Sequence, residues 1–238
     1  MSKASIPEKV KKIIAEGQVV GKSGEARQII GGSTINNLLA IQEIMNQIKP
    51  VATMEIGMAY GISTLLFALK HEELSGNPKN QHYSIDPFQI SHWDSCGLGL
   101  LEREGLANYI NYFESFSSIQ LPKWVESGVN FDLIYIDGSH LFEDVFIDYY
   151  YCSQLLNANG MMLFDDCRDP HVLKVIKFIK NNMTDFFEEV DLNKYVKREG
   201  TELIKYQIAS KLNNIQLRGF IKKTKNDQRG WDAQLLNF

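Results

Sequence analysis

With 238 residues, the chain has room for one α/β domain with a full core, or one domain and a small appendage. Its 44% hydrophobic and 23% charged content is that of an ordinary soluble globular protein, and a net charge of -4 gives no electrostatic case for nucleic acid or an anionic membrane surface. Cys96, Cys152 and Cys167 are odd in number, scattered and without Cys-x-x-Cys spacing, which supports neither a disulfide framework nor a zinc site and points to a reducing, cytoplasmic setting.

Lys3, Glu8, Lys9, Lys11 and Lys12 stand where a secretory signal needs an apolar core. No apolar stretch approaches the roughly 20 residues that span a bilayer. Residues 5–16 read as a short amphipathic helix with Val10, Ile13 and Ile14 on one face. Residues 34–48 read as a helix, with Leu38, Ile41, Met45 and Ile48 at helical spacing before Pro50. From there β and α alternate: strand 51–56, helix 62–70, strand 82–85, helix 98–106, strand 110–113, helix 117–125, strand 133–136, helix 141–156, strand 161–164 and helix 170–181. Within 141–156, Leu141, Val145, Tyr149, Cys152 and Leu156 share a face, and Tyr149, Tyr150 and Tyr151 read as helix packing. Asp169 is placed to cap the helix that Pro170 opens. Segments 186–190, 204–209 and 217–222 read as extended, with no helix between the last two, and Arg218, Lys222, Lys223 and Lys225 read as a solvated strand face.

That order predicts an α/β fold: a Rossmann-like, doubly wound, mostly parallel sheet with an antiparallel C-terminal edge and helices on both faces. The sheet domain would run over 50–238, after an N-terminal helical extension at 1–49 whose helices offer a surface for a homo-oligomer.

The first strand runs into Glu55-Ile56-Gly57-Met58-Ala59-Tyr60-Gly61-Ile62-Ser63. Glycines here let the chain turn sharply and let a ligand approach the backbone at a helix N-terminus. The dinucleotide fingerprint needs Gly-x-Gly-x-x-Gly, and Met58 and Ala59 leave no middle glycine, which disfavours a nicotinamide oxidoreductase. Asp86, at the end of the next strand, is placed to hold a ribose diol, or else is a turn residue before Pro87. Gly21-Lys22-Ser23 imitates the end of a P-loop, but Glu16 stands where that motif requires glycine and no buried strand precedes it, so it reads as a surface loop.

Two later apolar runs stop on carboxylates: Leu133-Ile134-Tyr135-Ile136 on Asp137, and Met161-Met162-Leu163-Phe164 on Asp165-Asp166. Ligands of open α/β sheets bind outside the carboxyl ends of the strands, so these acids and His140 are expected in one crevice. Gathered carboxylates repel unless a cation or hydrogen-bond donors compensate. Asp137 could instead cap the helix near Leu141, Asp166 could face solvent because strand neighbours alternate, and His140 could be a helix-start residue. His92-Trp93 is a pocket wall or a packed surface pair.

The order EIGMAYGIS, YSIDPF, FDLIYIDGSHLFEDV and LLNANGMMLFDD resembles a class I S-adenosylmethionine-dependent methyltransferase, and within that class the small-molecule O-methyltransferases related to macrocin-type sugar methyltransferases. The resemblance covers roughly 31–179. It implies that Gly57, Tyr60, Gly61 and Ser63 border the cofactor with Glu55 orienting the loop, that Asp86 holds the ribose, and that Ser115 and Ser117 lie near the adenine, where Phe116 replaces a common acid. It also implies Asp137, Asp165 and Asp166 as divalent-metal ligands, Asp137 as a catalytic and cofactor-binding residue as well, and His140 as general base; Asn159 departs from the usual Gly-Gly. The chemistry agrees. Methyl transfer to oxygen is an in-line displacement governed by positioning, and an alcohol needs a base or a metal to become a nucleophile. Oxygen ligands suit magnesium, manganese or calcium. The expectation is a cytoplasmic, metal-assisted O-methyltransferase with a small-molecule acceptor and no nucleic-acid or membrane partner. The rival is a non-catalytic nucleoside-binding scaffold.

Overall fold

The computed structural model describes residues 5–76, 81–196, 198–223 and 229–237. The chain divides into two compact units, Met1–Ser117 and Ser118–Phe238. Among the described residues no helix is long and apolar enough to cross a membrane.

The first unit opens with α1 (Glu8–Glu16), the short antiparallel strands β1 (Gln18–Val20) and β2 (Ala26–Gln28), and α2 (Ile35–Ile48). The Thr34 side chain accepts the Asn37 N–H and starts α2, whose Leu38, Ile41, Ile44 and Met45 are wholly buried. Then come β3 (Thr53–Ile56), α3 (Ile62–Ser75), β4 (His82–Ile85), α4 (Cys96–Arg103) and β5 (Ile110–Phe113). β3, β4 and β5 run parallel with Ile56 opposite Ile85 and Ile85 opposite Phe113. In-register ends place Gly57, Asp86 and Glu114 along one carboxyl edge. The β1–β2 hairpin is a feature that the hydrophobic pattern does not predict, since only Val19 of β1 is buried. Gly21-Lys22-Ser23 is its loop, with Lys22 and Ser23 exposed as expected. Asp94 clamps it: Ser23 donates to the Asp94 carboxylate at 2.5 Å, and a Cβ on Gly21 would sit 2.1 Å from that carboxylate.

The second unit holds α5 (Ser117–Glu126, beginning at the boundary), β6 (Phe131–Ile136), α6 (Phe142–Leu155), β7 (Leu156–Phe164) and α7 (Pro170–Asn182). After them come β8 (Phe187–Val190), α8 (Asn193–Val196), α9 (Gly200–Lys211) and β9 (Arg218–Lys222). Asp169 accepts the His171 N–H at 2.8 Å and Pro170 is the first helical residue, as the cap signature predicts. β6 and β7 are parallel with Ile136 opposite Phe164, while β9 is antiparallel to both β7 and β8. The α6 face buries Val145, Tyr149 and Cys152, but Leu141, at the N-cap, is exposed. Tyr149 packs on Phe178 and Phe187, whereas Tyr150 is exposed. The fold class is α/β and Rossmann-like, with antiparallel pairing at the C-terminal strands β7, β8 and β9 and in the separate β1–β2 hairpin.

Two expectations are corrected. Residues 204–209 are helical, inside α9, because Ile204 and Ile208 fall one turn apart on an exposed face that buries no residue of the helix. The β-branched content suggested a strand, but burial supplies nothing to enforce one. Arg218 and Lys222 are not solvated: they are 3% and 4% exposed. Alternation puts both on the same strand face as Phe220, which is 2% exposed. Lys222 Nζ donates to the carbonyls of Ser153 at 2.6 Å and Leu156 at 2.8 Å, satisfying the end of α6. Lys223 is exposed, and Lys225 lies outside the described residues.

Candidate active site

In the first unit, the turn after β3 is built by glycine. Gly57 and Gly61 adopt φ of 94° and 79°, in the left-handed region that side chains disfavour. Gly57 N–H donates to the Ile85 carbonyl at 2.8 Å and Gly61 N–H to the Met58 carbonyl at 2.7 Å. Asp86, 3% exposed, grips this turn from β4. Its Oδ2 accepts the N–H groups of Met58 at 3.1 Å and Ala59 at 2.8 Å, and its Oδ1 accepts that of Phe88 at 2.8 Å. Gln89 completes the clamp by donating to the Ala59 carbonyl at 2.7 Å.

Glu55 is fully buried beneath the turn. It accepts hydroxyl hydrogens from Ser63 at 2.8 Å, Ser84 at 2.9 Å and Thr64, tying β3 to the first turn of α3 and to β4. Ser63 therefore points inward, not toward the open edge. His82 Nε2 lies 3.4 Å from Glu55, and Thr53 Oγ1 links His82 Nδ1 at 2.8 Å to His71 Nε2 at 2.7 Å. Burial, then the neighbouring His82, lowers the His71 pKa to about 4, so this ring is neutral. Tyr60 turns toward the N-terminal segment: its hydroxyl accepts the Ile30 N–H at 3.2 Å, and its ring meets Trp93 edge-on at 4.9 Å. Trp93 is thus a packed wall residue. Ser115 and Ser117 are partly buried, the Ser115 hydroxyl donating to the Phe116 carbonyl at 3.2 Å. Phe88 and Phe116, 46% and 53% exposed, meet edge-to-face at 5.8 Å beside Asp86.

In the second unit, Asp137, His140, Asp165 and Asp166 line one small cavity of about 10 Å³ at the carboxyl ends of β6 and β7. The expected convergence is present. Asp165 is buried, with one oxygen accepting the Tyr135 hydroxyl hydrogen and the other the Asp166 N–H at 2.7 Å. Asp166 takes a left-handed φ of 50°, and its Oδ2 lies 2.8 Å from His140 Nε2. Its Oδ1 accepts the Gln216 amide. Ser139 donates to Asp144 at 2.7 Å and accepts the Leu141 N–H, so Ser139 shapes the start of α6. Burial holds the Cys167 thiol well above its usual range, which leaves it inert.

Among the described residues no group of three or more His, Cys, Asp or Glu side chains is arranged to hold a metal ion. As placed, the Asp165 and Asp166 oxygens answer to Tyr135, backbone, His140 and Gln216, and the set does not fit a divalent cation. Gln216 and Tyr135 are the contributors the sequence reading misses. A hydroxyl inside the apolar run of β6 is a usable signal for Tyr135, whereas Gln216 stands 50 residues from its partner with no local mark.

Residues 54–167 match the family described as a methyltransferase domain, a span that contains the glycine turn, Asp86 and both carboxylate-ending strands. The match spans 114 of the 238 residues and makes the chain similar to methyltransferases over that stretch. Solved structures of similar fold include the O-methyltransferase TomG from Streptomyces achromogenes, involved in tomaymycin synthesis and bound to SAM: 12% identity, 81% of this chain and 82% of that one, TM-score 0.59. An O-methyltransferase from Bacillus cereus in complex with SAH has 14% identity, 78% and 84% coverage and TM-score 0.59. CalS11, a TDP-rhamnose 3'-O-methyltransferase of calicheamicin biosynthesis, has 16% identity, 79% and 76% coverage and TM-score 0.53. At such identities the likeness shows the fold. No curated protein matches the sequence.

Proposed function

We propose that this chain transfers a methyl group from S-adenosylmethionine to a hydroxyl of a small molecule, a sugar or natural product, with His140 as the base and Asp166 as its positioning partner. The observation that carries the reading is the 2.8 Å contact between His140 Nε2 and Asp166 Oδ2 at the end of β7. A carboxylate that accepts Nε2–H leaves Nδ1 as the basic nitrogen, so Nδ1 takes the acceptor's proton and Asp166 stabilises the imidazolium. Gln216, donating to the other oxygen, keeps the carboxylate aimed.

Residues of the first unit suit a nucleoside. The left-handed Gly57, only partly buried, leaves backbone open at the turn after β3, and the half-exposed Phe88 and Phe116 offer ring faces beside Asp86. Oδ1 of Asp86 accepts the Phe88 N–H and has a second lone pair for a ribose hydroxyl. The bound cofactor supplies the sulfonium methyl. Neighbours called O-methyltransferases, solved with SAM or SAH, support the same assignment.

His140→Ala should lower turnover by about 10²–10⁴-fold while S-adenosylhomocysteine affinity is kept, and Asp166→Asn should lower it in the same direction. Near-normal turnover in His140→Ala would remove the base from this reading. The divalent ion implied for Asp137, Asp165 and Asp166 is tested by chelation. Turnover should survive excess EDTA; loss that magnesium restores would return those carboxylates to the role of ligands.

A further inference from the structure

The second unit contains another cavity, of about 270 Å³, lined by Lys180 of α7, Glu189 and Asp191 at the end of β8, Tyr206 and Ser210 of α9, and Arg218 of β9. Its hydrogen bonds are incomplete. Arg218, 3% exposed, donates Nη1 to the Glu189 carboxylate and Nη2 to Asn213 at 3.1 Å, yet its Nε is buried with no hydrogen-bond partner. Glu189 also receives Lys180 Nζ at 2.6 Å, so one carboxylate serves two cations. Tyr206 donates to Asp191 at 3.1 Å, and the Arg198 guanidinium lies 4.3 Å from the Tyr206 ring centre with its own Nη1 buried and unpartnered. At the cavity wall two cations (Lys180, Arg218) thus share the single Glu189 carboxylate, whereas Arg198, behind Tyr206, is balanced by Asp191 and Glu202.

Leaving a buried donor unsatisfied costs about 1–3 kcal/mol, more when it is charged. Folded chains satisfy nearly all such groups. The deficit here is one of acceptors with negative charge, and the volume lies just below the range of small-molecule sites. We propose that this cavity binds the phosphate or carboxylate group of a small molecule, with Arg218 Nε as its buried donor. The site is distinct from the His140 crevice, but the two share a wall. Ile215 and Leu217 line the cavity, while Gln216 between them holds Asp166. An occupant would therefore set the segment that aims the Asp166–His140 pair. The assignment does not rest on the reaction proposed above.

The test titrates the full chain, labelled with ¹⁵N-arginine, with inorganic phosphate and separately with malonate, following the Nε–H signals. One signal, removed by Arg218→Lys, should shift saturably with at least one probe. Response to phosphate alone identifies a phosphorylated ligand, and response to malonate alone a carboxylate. Ser210→Phe, which fills the cavity from α9, should weaken that response about tenfold or more, equivalent to 1.4 kcal/mol, with circular dichroism unchanged. If Arg218→Lys does not fold, loss of the response in Ser210→Phe still reads the site. No saturable shift with either probe, or a shift that Ser210→Phe leaves intact, would mean that an ordered water completes Arg218 and would overturn the proposal.

Discussion

Gly61 meets two demands at once. Its φ of 79° is left-handed, and a Cβ there would lie 2.7 Å from the Gly97 Cα. Gly24 is left-handed as well, at φ 87°, but has nothing within 4 Å of the same position. Gly24→Ala should therefore cost only the backbone term, about 1–2 kcal/mol, and Gly61→Ala about 2–4 kcal/mol once crowding is added. Urea unfolding of the two variants checks this; equal losses would show that the glycine–glycine approach is not tight. The position of the acids was legible from apolar runs that end on them. Their partners were not. Alternation along a strand suggested that Asp165 and Asp166 face apart, but β7 ends at Phe164, and the φ of 50° at Asp166 swings that carboxylate to His140. Ser63 and Asp86 carried the right chemistry for a cofactor edge, yet Ser63 serves Glu55 and Asp86 chiefly holds the turn.

Elements with a strong hydrophobic period were readable to within a few residues. β4 spans His82–Ile85 and β5 spans Ile110–Phe113, as expected, because both are bounded by turn residues; β4 is largely buried and β5 only at Ile110. The C-terminal elements were harder. α9 buries nothing, so its sequence carries no core-facing stripe, and β9 hides two cations whose partners are backbone carbonyls and a distant carboxylate. Lys222 is the sharper case, since it closes α6 from another element. Lys222→Met should leave the Ser153 and Leu156 carbonyls without their donor and destabilise the fold by about 1–3 kcal/mol in urea. Unchanged stability would show that water completes α6.

At the scale of the whole molecule, each compact unit carries one part of the proposed chemistry: the glycine turn with Asp86 in Met1–Ser117, and His140 with Asp166 in Ser118–Phe238. Residues 1–49, expected as a helical extension, hold α1, α2 and the hairpin within the first of these units. Global stability should follow the buried His71. Its pKa falls from 6.5 to about 4 on folding, so between those values the unfolded chain binds a proton that the native ring refuses. Stability from this group is full above pH 6.5 and drains as pH falls toward 4, by about 3 kcal/mol at most. His71→Gln should flatten the pH dependence of the urea midpoint in that window. An unaltered slope would show that His71 is protonated in the native state.

The most direct measurement is calorimetric titration of the purified, ligand-stripped chain with S-adenosylhomocysteine. Saturable binding at one site with micromolar Kd is the expected result, and it would place the cofactor on this fold. No saturable binding up to millimolar ligand would contradict the assignment of the glycine turn and Asp86 to a nucleoside cofactor.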